Sequence, residues 1–152
     1  MSRLDLLPIG PDTQQWPIWS TTARLVVTEP DALPPARHIV DAVLMAVDAA
    51  CNRFRADSEL CRLDLAGGRP TMISPLLAAL VDTALTAAER TGGDVDPTMG
   101  IAMEALGYDR DLSLIDPHGV AVPAVIHPAP GWHQIRLDGH QITVPAGIRL
   151  DL

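Results

Sequence analysis

The strongest local constraint on the fold is the stretch between residues 91 and 107, which reads TGGDVDPTMGIAMEALG. The Gly-Gly pair at 92–93 favours the left-handed backbone conformation that ends a helix. Asp96 followed by Pro97 is typical of the N-cap and the first position of a new helix. The sequence therefore predicts two helices joined at this corner, the second of which runs from Pro97 to about Leu106.

The charges of this corner limit which ligand it could bind. The N-terminus of a helix presents free backbone N–H groups, and these suit phosphate oxygens. However, Asp94 and Asp96 place two carboxylates in the same turn, where they repel a bare phosphate and suit a cation, a ribose hydroxyl or a ring N–H better. The corner is a candidate binding site, and the simpler interpretation is that Asp96 only caps the helix.

The overall charge disfavours two classes of partner. The 152 residues include 11 Lys and Arg against 19 Asp and Glu, which gives a formal net charge of −8. Because no basic cluster offsets this charge, we expect neither nucleic acid nor an anionic membrane surface to bind. The N-terminal run MSRLDLLPIG is not typical of a signal peptide, and no apolar run approaches the roughly 20 residues that cross a bilayer. We therefore expect a cytoplasmic protein.

The chain contains two cysteines, Cys51 and Cys61. They form no CxxC motif and have no neighbouring pair of histidines, so the sequence predicts neither a zinc site nor a disulfide. Two reduced thiols are expected, with Cys51 on the buried face of a helix. A reactive thiol is the alternative.

Basic and acidic side chains alternate between residues 52 and 64, in the run NRFRADSELCRLD. Asp57 or Ser58 can cap a short helical turn within it. Arg53 and Arg55 both have acidic residues nearby in the sequence. The simplest interpretation is a solvated loop with weak local ion pairs.

The chain combines predicted helices with predicted strands, and we expect an α+β fold with helices packed on a mixed or antiparallel sheet. Residues 1–18 are rich in proline and polar side chains and are interpreted as an N-terminal arm. A long proline-containing loop is predicted over 107–131. The regular elements are predicted as a strand at 19–28, helices over 35–54, 75–90 and 97–106, and a hairpin over 132–144 that turns at Asp138-Gly139.

Several short motifs follow one another along the chain. They are WSTT at 19–22, the pattern of Asn52, Phe54, Ser58-Glu59-Leu60 and Asp64, the pair Ser74-Pro75, GDVDPTMG at 93–100, LGYD at 106–109, the hairpin WHQIRLDG, and Leu150-Asp151-Leu152. The order of these motifs resembles that of the ApbE family of flavin transferases, and the most specific similarity is that of GDVDPTMG to the family's Gly-Ala-Phe-Asp-Pro-Thr-x-Gly motif. The resemblance spans about residues 19–152, which it identifies as the N-terminal portion of a flavin transferase domain.

The resemblance implies a set of FAD-binding residues. Trp19 and Phe54 stand where the family places side chains against the flavin. Asp94, Val95 and Asp96 stand at the Ala-Phe-Asp positions that line the FAD site. Asp151 is the Asp of the family's Asp-Leu-Gly-Gly-x-x-Lys-Gly motif, which also contacts FAD. The chain departs from the family where Trp19 replaces Met, Phe54 replaces Tyr and Asp94 replaces a small residue, changes that would reshape the pocket.

The activity that the resemblance implies is the magnesium-dependent transfer of FMN from FAD to a threonine of a target protein. In the family, the metal ligands and the catalytic residues follow the position of Leu152, so the resemblance assigns neither a metal ligand nor a catalytic residue to this chain. We therefore predict an α+β fold that is incomplete at the C-terminus, and a fragment that is inactive without the missing half.

Two other functions remain open from the sequence. The chain could be a non-catalytic flavin-binding half-domain or assembly module, or a structural remnant that binds no ligand. The intact carboxylates of the DVDPT corner argue against the remnant. An exposed sheet edge in such a fragment would favour self-association into a homo-oligomer.

Overall fold

The computed structural model describes residues 10–116, 118–119, 129 and 131–152. The first nine residues of the predicted arm lie outside the described residues, as does most of the second half of the predicted 107–131 loop. Internal contacts divide the chain into one unit that ends at Met45 and a second that runs from Ala46 to Leu152. Over the described ranges, no helix is both long enough and apolar enough to cross a bilayer.

The first unit contains a β-hairpin and the beginning of a long helix. Strand β1 (Thr13–Ile18) pairs antiparallel with strand β2 (Thr21–Val26). Trp19 and Ser20 form the turn between them with φ angles of 45° and 58°, and two positive φ angles are typical of a tight hairpin turn. Part of the predicted arm is therefore a strand. Its polar, proline-containing sequence does not indicate a strand, because the strand is stabilised by its pairing with β2.

Helix α1 (Leu33–Cys51) continues directly from a 3₁₀ turn at Pro30–Ala32. Arg37 lies over the ring of Trp16, 3.6 Å from its centroid, and so packs the start of the helix on the hairpin. Apolar side chains near the middle of the helix are exposed, with Ile39 at 63% and Met45 at 68%. The described residues therefore leave much of the apolar surface of this helix uncovered.

In the described part of the second unit, helices pack with a small antiparallel sheet, which confirms the predicted α+β class. In chain order the elements after α1 are α2 (Glu59–Ala66), β3 (Thr71–Met72), α3 (Pro75–Arg90), α4 (Gly100–Ala105), β4 (Arg136–Asp138) and β5 (Gln141–Thr143). The order of strands in the sheet is β3–β5–β4, and both pairings are antiparallel.

Serine caps fix the starts of α2 and α3. The Ser58 hydroxyl accepts a hydrogen bond from the Cys61 N–H, and the Ser74 hydroxyl accepts one from the Leu77 N–H, both at 3.1 Å. The side chain of Glu59 also accepts a hydrogen bond of 2.8 Å from the Ser74 N–H. This contact joins the starts of α2 and α3. The cap at Ser74 confirms the helix start predicted at Ser74-Pro75.

The core of the second unit lies between α2, α3 and the sheet. Leu77 of α3 and Ile142 of β5 are fully buried at its centre. The remaining buried members of the core are Ala50, Leu60, Leu63, Ile73, Ala78, Val81, Ile135, Val144, Ile148 and Leu150. Residues that follow β5 therefore belong to the same core as the helices.

We predict that Leu77→Ala lowers the free energy of unfolding by about 2–5 kcal/mol, because it removes buried methyl groups and leaves a cavity. Met45→Ala, at an exposed position, is the matched control and should change stability by less than about 0.5 kcal/mol. Urea denaturation followed by circular dichroism measures both. Equal effects of the two substitutions would contradict this description of the core.

Candidate functional site

The corner that contains Asp96 is a closed hydrogen-bonded turn. Asp96 Oδ1 accepts hydrogen bonds from the backbone N–H and the hydroxyl of Thr98, at 2.8 and 2.6 Å. Asp96 Oδ2 accepts one of 3.1 Å from the Trp132 N–H, and the Thr98 hydroxyl oxygen accepts one of 3.2 Å from the Gly131 N–H. The carboxylate of Asp96 therefore ties the corner to the segment that leads into β4.

The helix after this corner begins later than the sequence predicts. The carbonyl of Pro97 accepts a hydrogen bond of 2.8 Å from the Asp151 N–H, and the Gly100 N–H donates one of 3.2 Å to the carbonyl of Arg149. These bonds pair the backbone with the segment 149–151 instead of continuing the helix. The prediction of a helix start at Pro97 is wrong for this reason, and α4 begins at Gly100.

The close approach of these segments depends on the glycine at position 100. A Cβ atom at Gly100 would lie 2.9 Å from both the Cβ and the carbonyl oxygen of Arg149. Such a distance is shorter than carbon atoms tolerate, so a side chain here would push the segment 149–151 away. The glycine thereby helps to place Asp151.

A second cluster forms around Arg53. Its Nε lies 3.3 Å from Asp151 Oδ1, and its Nη2 donates a hydrogen bond of 2.6 Å to the carbonyl of Tyr108. The guanidinium carbon lies 4.2 Å from the ring centroid of Phe54 and 4.5 Å from that of Tyr108. These two rings meet edge to face, with centroids 5.4 Å apart and an interplanar angle of 72°. The result is an aromatic pair with a cation and a carboxylate beside it.

A cavity of about 390 Å³ opens next to this cluster, and its volume is typical of small-molecule sites. Arg149 lies on its wall, 3.1 Å from Asp64 and 2.5 Å from Glu104, measured between nitrogen and oxygen. Besides these three residues, its wall includes Arg53, Phe54, Ala56, Leu60, Cys61, Leu65, Gly100 and Leu150. The cavity is thus partly apolar and partly lined by paired charges.

Two of the charged groups on this wall have shifted pKa values. Burial raises the pKa of the Asp64 carboxyl, the nearby Arg149 opposes this shift, and the charge of Glu104 adds to it. The hydrogen bond with Glu104 and then its charge raise the pKa of the Arg149 guanidinium. Arg149 therefore stays charged and holds both carboxylates.

Both cysteines are free thiols, as the sequence predicts. The Cys51 thiol donates a hydrogen bond of 3.1 Å to the carbonyl of Val47, and the Cys61 thiol donates one of 3.3 Å to the carbonyl of Arg53. Burial and then the charge of Asp48 raise the pKa of the Cys51 thiol. Cys51 is therefore a poor nucleophile at neutral pH.

The part of the chain that the structure describes holds no group of three or more His, Cys, Asp or Glu side chains that could bind a metal ion. Asp64 and Glu104 share the cavity, but both are paired with Arg149. Within the described residues, the two carboxylates of the cavity therefore bind the guanidinium of Arg149.

A sequence model described as the ApbE family matches residues 19–152. The chain belongs to the ApbE family. The match begins at Trp19 and includes every position that the motif resemblance assigned to the FAD site. No curated protein sequence matches the chain.

Solved structures of ApbE proteins share the fold of this chain. The apo flavinyl transferase ApbE of Pseudomonas stutzeri superposes with a TM-score of 0.71 at 16% identity, covering 91% of this chain and 48% of that one. The ApbE protein of Thermotoga maritima superposes with a TM-score of 0.65 at 19% identity, covering 92% of this chain and 46% of that one. Flavin transferase ApbE from Vibrio cholerae superposes with a TM-score of 0.66 at 18% identity, covering 91% of this chain and 47% of that one. The chain thus spans about half the length of these ApbE structures.

The structure brings three of the predicted FAD residues into one assembly. Phe54 and Asp151 both contact Arg53, and the backbone of Asp151 bonds to Pro97, next to Asp96. Phe54, Asp96 and Asp151 come from three motifs that are separate in the sequence.

The other predicted FAD residues are exposed and lie in turns. Asp94 and Val95 lie in the turn before Asp96 and are exposed. Trp19 belongs to the first unit, where it is an exposed residue at the turn of the β1–β2 hairpin. The roles of these residues toward FAD stay predictions.

Sequence reasoning missed Arg53 and Tyr108 as site residues. Tyr108 lies in the LGYD stretch, so the motif offered a signal for it. The local sequence predicts that Arg53 is solvated and forms weak local ion pairs, a description that fits Arg55, which pairs with Asp57 and Asp48. The partners of Arg53 other than Phe54 lie far along the chain, so no local pattern could have identified them.

We predict that Asp96→Ala lowers the free energy of unfolding by about 1–3 kcal/mol, because it leaves N–H groups of the corner without an acceptor. Asp94→Ala, an exposed position in the same turn, is the control and should change stability by less than about 0.5 kcal/mol. Thermal or urea unfolding would compare them. If both variants were as stable as the parent protein, Asp96 would have no structural role.

We also predict that the pKa of the Asp64 carboxyl lies above that of an unstructured Asp, and that Arg149→Met raises it further by removing the cation that favours the carboxylate. Because the folded pKa is raised, the stability that this group contributes is fully present below its unfolded pKa and is lost as the pH rises through its folded value. An NMR titration of the side-chain carboxyl carbons measures the shift. An Asp64 pKa at or below the unstructured value would contradict the prediction.

Proposed function

We propose that this chain is the amino-terminal portion of an FAD:protein FMN transferase that moves FMN from FAD to a threonine of a target protein. Membership of the ApbE family supports this proposal, because solved proteins with this fold are named flavin transferases. The observation that carries it to particular residues is the aromatic pair of Phe54 and Tyr108 beside the cavity, with Arg53 and Asp151 in contact.

The chemistry of the cavity and of the cluster around Arg53 beside it suits part of a flavin dinucleotide. Phe54 is 36% exposed, so part of its ring is available to pack against a flavin or adenine ring. The Asp151 carboxylate can accept hydrogen bonds from a ribityl or ribose hydroxyl or from a ring N–H. The cavity of about 390 Å³ has room for part of FAD. These residues would bind and orient the dinucleotide.

In the proposed reaction, the threonine hydroxyl gives its proton to a base, and its oxygen bonds to the phosphorus of the FMN moiety. The bond between that phosphorus and the oxygen of AMP breaks, and AMP leaves with the electron pair. We propose that magnesium dependence and the catalytic residues belong to the part of the solved ApbE structures that this chain does not cover. The described residues contribute binding and orientation.

A second candidate function is a non-catalytic flavin-binding half-domain or assembly module. It is favoured by the fact that the contacts around Arg53 form entirely within this chain. Self-association through β3 or β4, the edge strands of the described sheet, would accompany such a role. For the whole protein we propose a cytoplasmic location and a partner that carries the acceptor threonine.

Fluorescence titration of the chain with FAD, with and without magnesium, tests the binding wall. We predict saturable quenching at micromolar FAD, and an affinity about tenfold lower for Phe54→Ala because it removes the exposed aromatic surface. Met72→Ala, at an exposed position on strand β3, is the control and should bind FAD as the parent chain does.

The outcomes separate the two candidate functions. Absence of quenching up to millimolar FAD would contradict a flavin-binding wall in this chain. Magnesium-independent binding would favour the half-domain for the chain alone. A longer protein that includes the other half of the fold should label a threonine of its target with FMN, and failure to do so would contradict the transferase.

A further inference from the structure

Arg53 connects elements of the second unit that lie far apart in the sequence. It follows α1, yet its guanidinium contacts Asp151 near the end of the chain and the backbone of Tyr108 after α4. Its side chain is only 10% exposed, whereas that of Arg55, two residues on, is 42% exposed and pairs with local carboxylates. The burial and the distant partners distinguish Arg53 from a surface arginine.

The contacts of Arg53 require the geometry of a guanidinium. A planar, permanently charged group can lie against the Phe54 and Tyr108 rings while it donates a hydrogen bond to a carbonyl and pairs with a carboxylate. The distances of 4.2 and 4.5 Å from the guanidinium carbon to the ring centroids fit such cation–π contacts. A lysine has a compact ammonium group and could not make all of these contacts at once.

The charge of Arg53 matters as much as its shape. Asp151, Asp64 and Glu104 place three carboxylates at or beside the cavity, and Arg149 is engaged with two of them. Asp151 is paired with Arg53. Without Arg53, its carboxylate would add a negative charge beside the cavity and would repel a ligand that carries phosphates.

We propose that Arg53 is a positioning residue of the flavin site, which fixes the Asp151 carboxylate beside the Phe54–Tyr108 pair and offsets its charge so that a diphosphate can approach. The identity of the ligand rests on the proposed function. The positioning of Asp151 rests only on the contacts of Arg53 within this chain. The two parts of the proposal can therefore be tested separately.

The ligand-free test is a double-mutant cycle of unfolding free energy. Its variants are Arg53→Met, Asp151→Asn and the double substitution, with Arg55→Met as a control for loss of a surface charge. We expect the Arg53 and Asp151 effects to be non-additive, because each removes the same contact. Additive effects would overturn the positioning of Asp151 by Arg53.

The ligand test compares FAD, which carries a diphosphate, with riboflavin, which carries no phosphate. We expect Arg53→Met to weaken FAD about tenfold and riboflavin less than about threefold, because only FAD is repelled by the uncompensated carboxylate. Adding Asp151→Asn to that variant should restore most of the FAD affinity. Arg53→Lys keeps the charge, so it should keep the FAD-to-riboflavin affinity ratio of the parent even if both affinities fall.

The failures of the two proposals look different. Equal losses for FAD and riboflavin, without recovery in the double variant, would show that Arg53 is merely structural and would overturn the charge-offset role. If Arg53→Met does not fold, a changed affinity ratio in Arg53→Lys would overturn that role instead. If the parent chain binds neither FAD nor riboflavin, both the proposed function and the charge-offset role are contradicted. The double-mutant cycle of unfolding then tests only whether Arg53 positions Asp151.

Discussion

The backbone pairing between the segment 149–151 and the start of α4 is the constraint on which the rest of the second unit depends. Two hydrogen bonds, from Asp151 N–H to the Pro97 carbonyl and from Gly100 N–H to the Arg149 carbonyl, hold it in place. This pairing brings Leu150 into the core and leaves the side chains on either side of it at the cavity and at Arg53. A buried apolar residue thus anchors the charged residues that flank it.

The carboxylates of Asp96 and Asp151 have different partners because of this arrangement. Asp96 uses both of its oxygens on N–H and hydroxyl donors of the corner and of the segment before β4, so its contribution in this structure is structural. Asp151 is paired with an arginine at the aromatic cluster. The two acidic residues, both predicted to bind FAD, therefore have different partners in this structure: N–H and hydroxyl donors for Asp96, and a guanidinium for Asp151.

Local signals in the sequence predicted those parts of the fold whose physical cause is local. Ser74-Pro75 specified the start of α3 because a cap hydroxyl and a proline act on the first turn alone. The predicted hairpin near Asp138-Gly139 is confirmed, but it is shorter than 132–144 because Trp132–Gln134 forms a 3₁₀ turn and only Arg136–Asp138 pairs with Gln141–Thr143. The central residues of its turn are Gly139 and His140. The start of α4 and strand β1 could not be read in this way, because backbone hydrogen bonds to other segments determine both.

By itself, the sequence determined the family and the α+β class, and it singled out Phe54, Asp96 and Asp151. These signals are caps, turns and motifs, and each depends only on residues that are close together in the sequence. Only the tertiary structure decided that Asp96 ties down the corner and that Arg53 is buried between two rings and a distant carboxylate. The physical reason is that a charged side chain has no periodic signature. Its environment is set by which remote segments the core brings together, and that becomes visible only when the chain is folded.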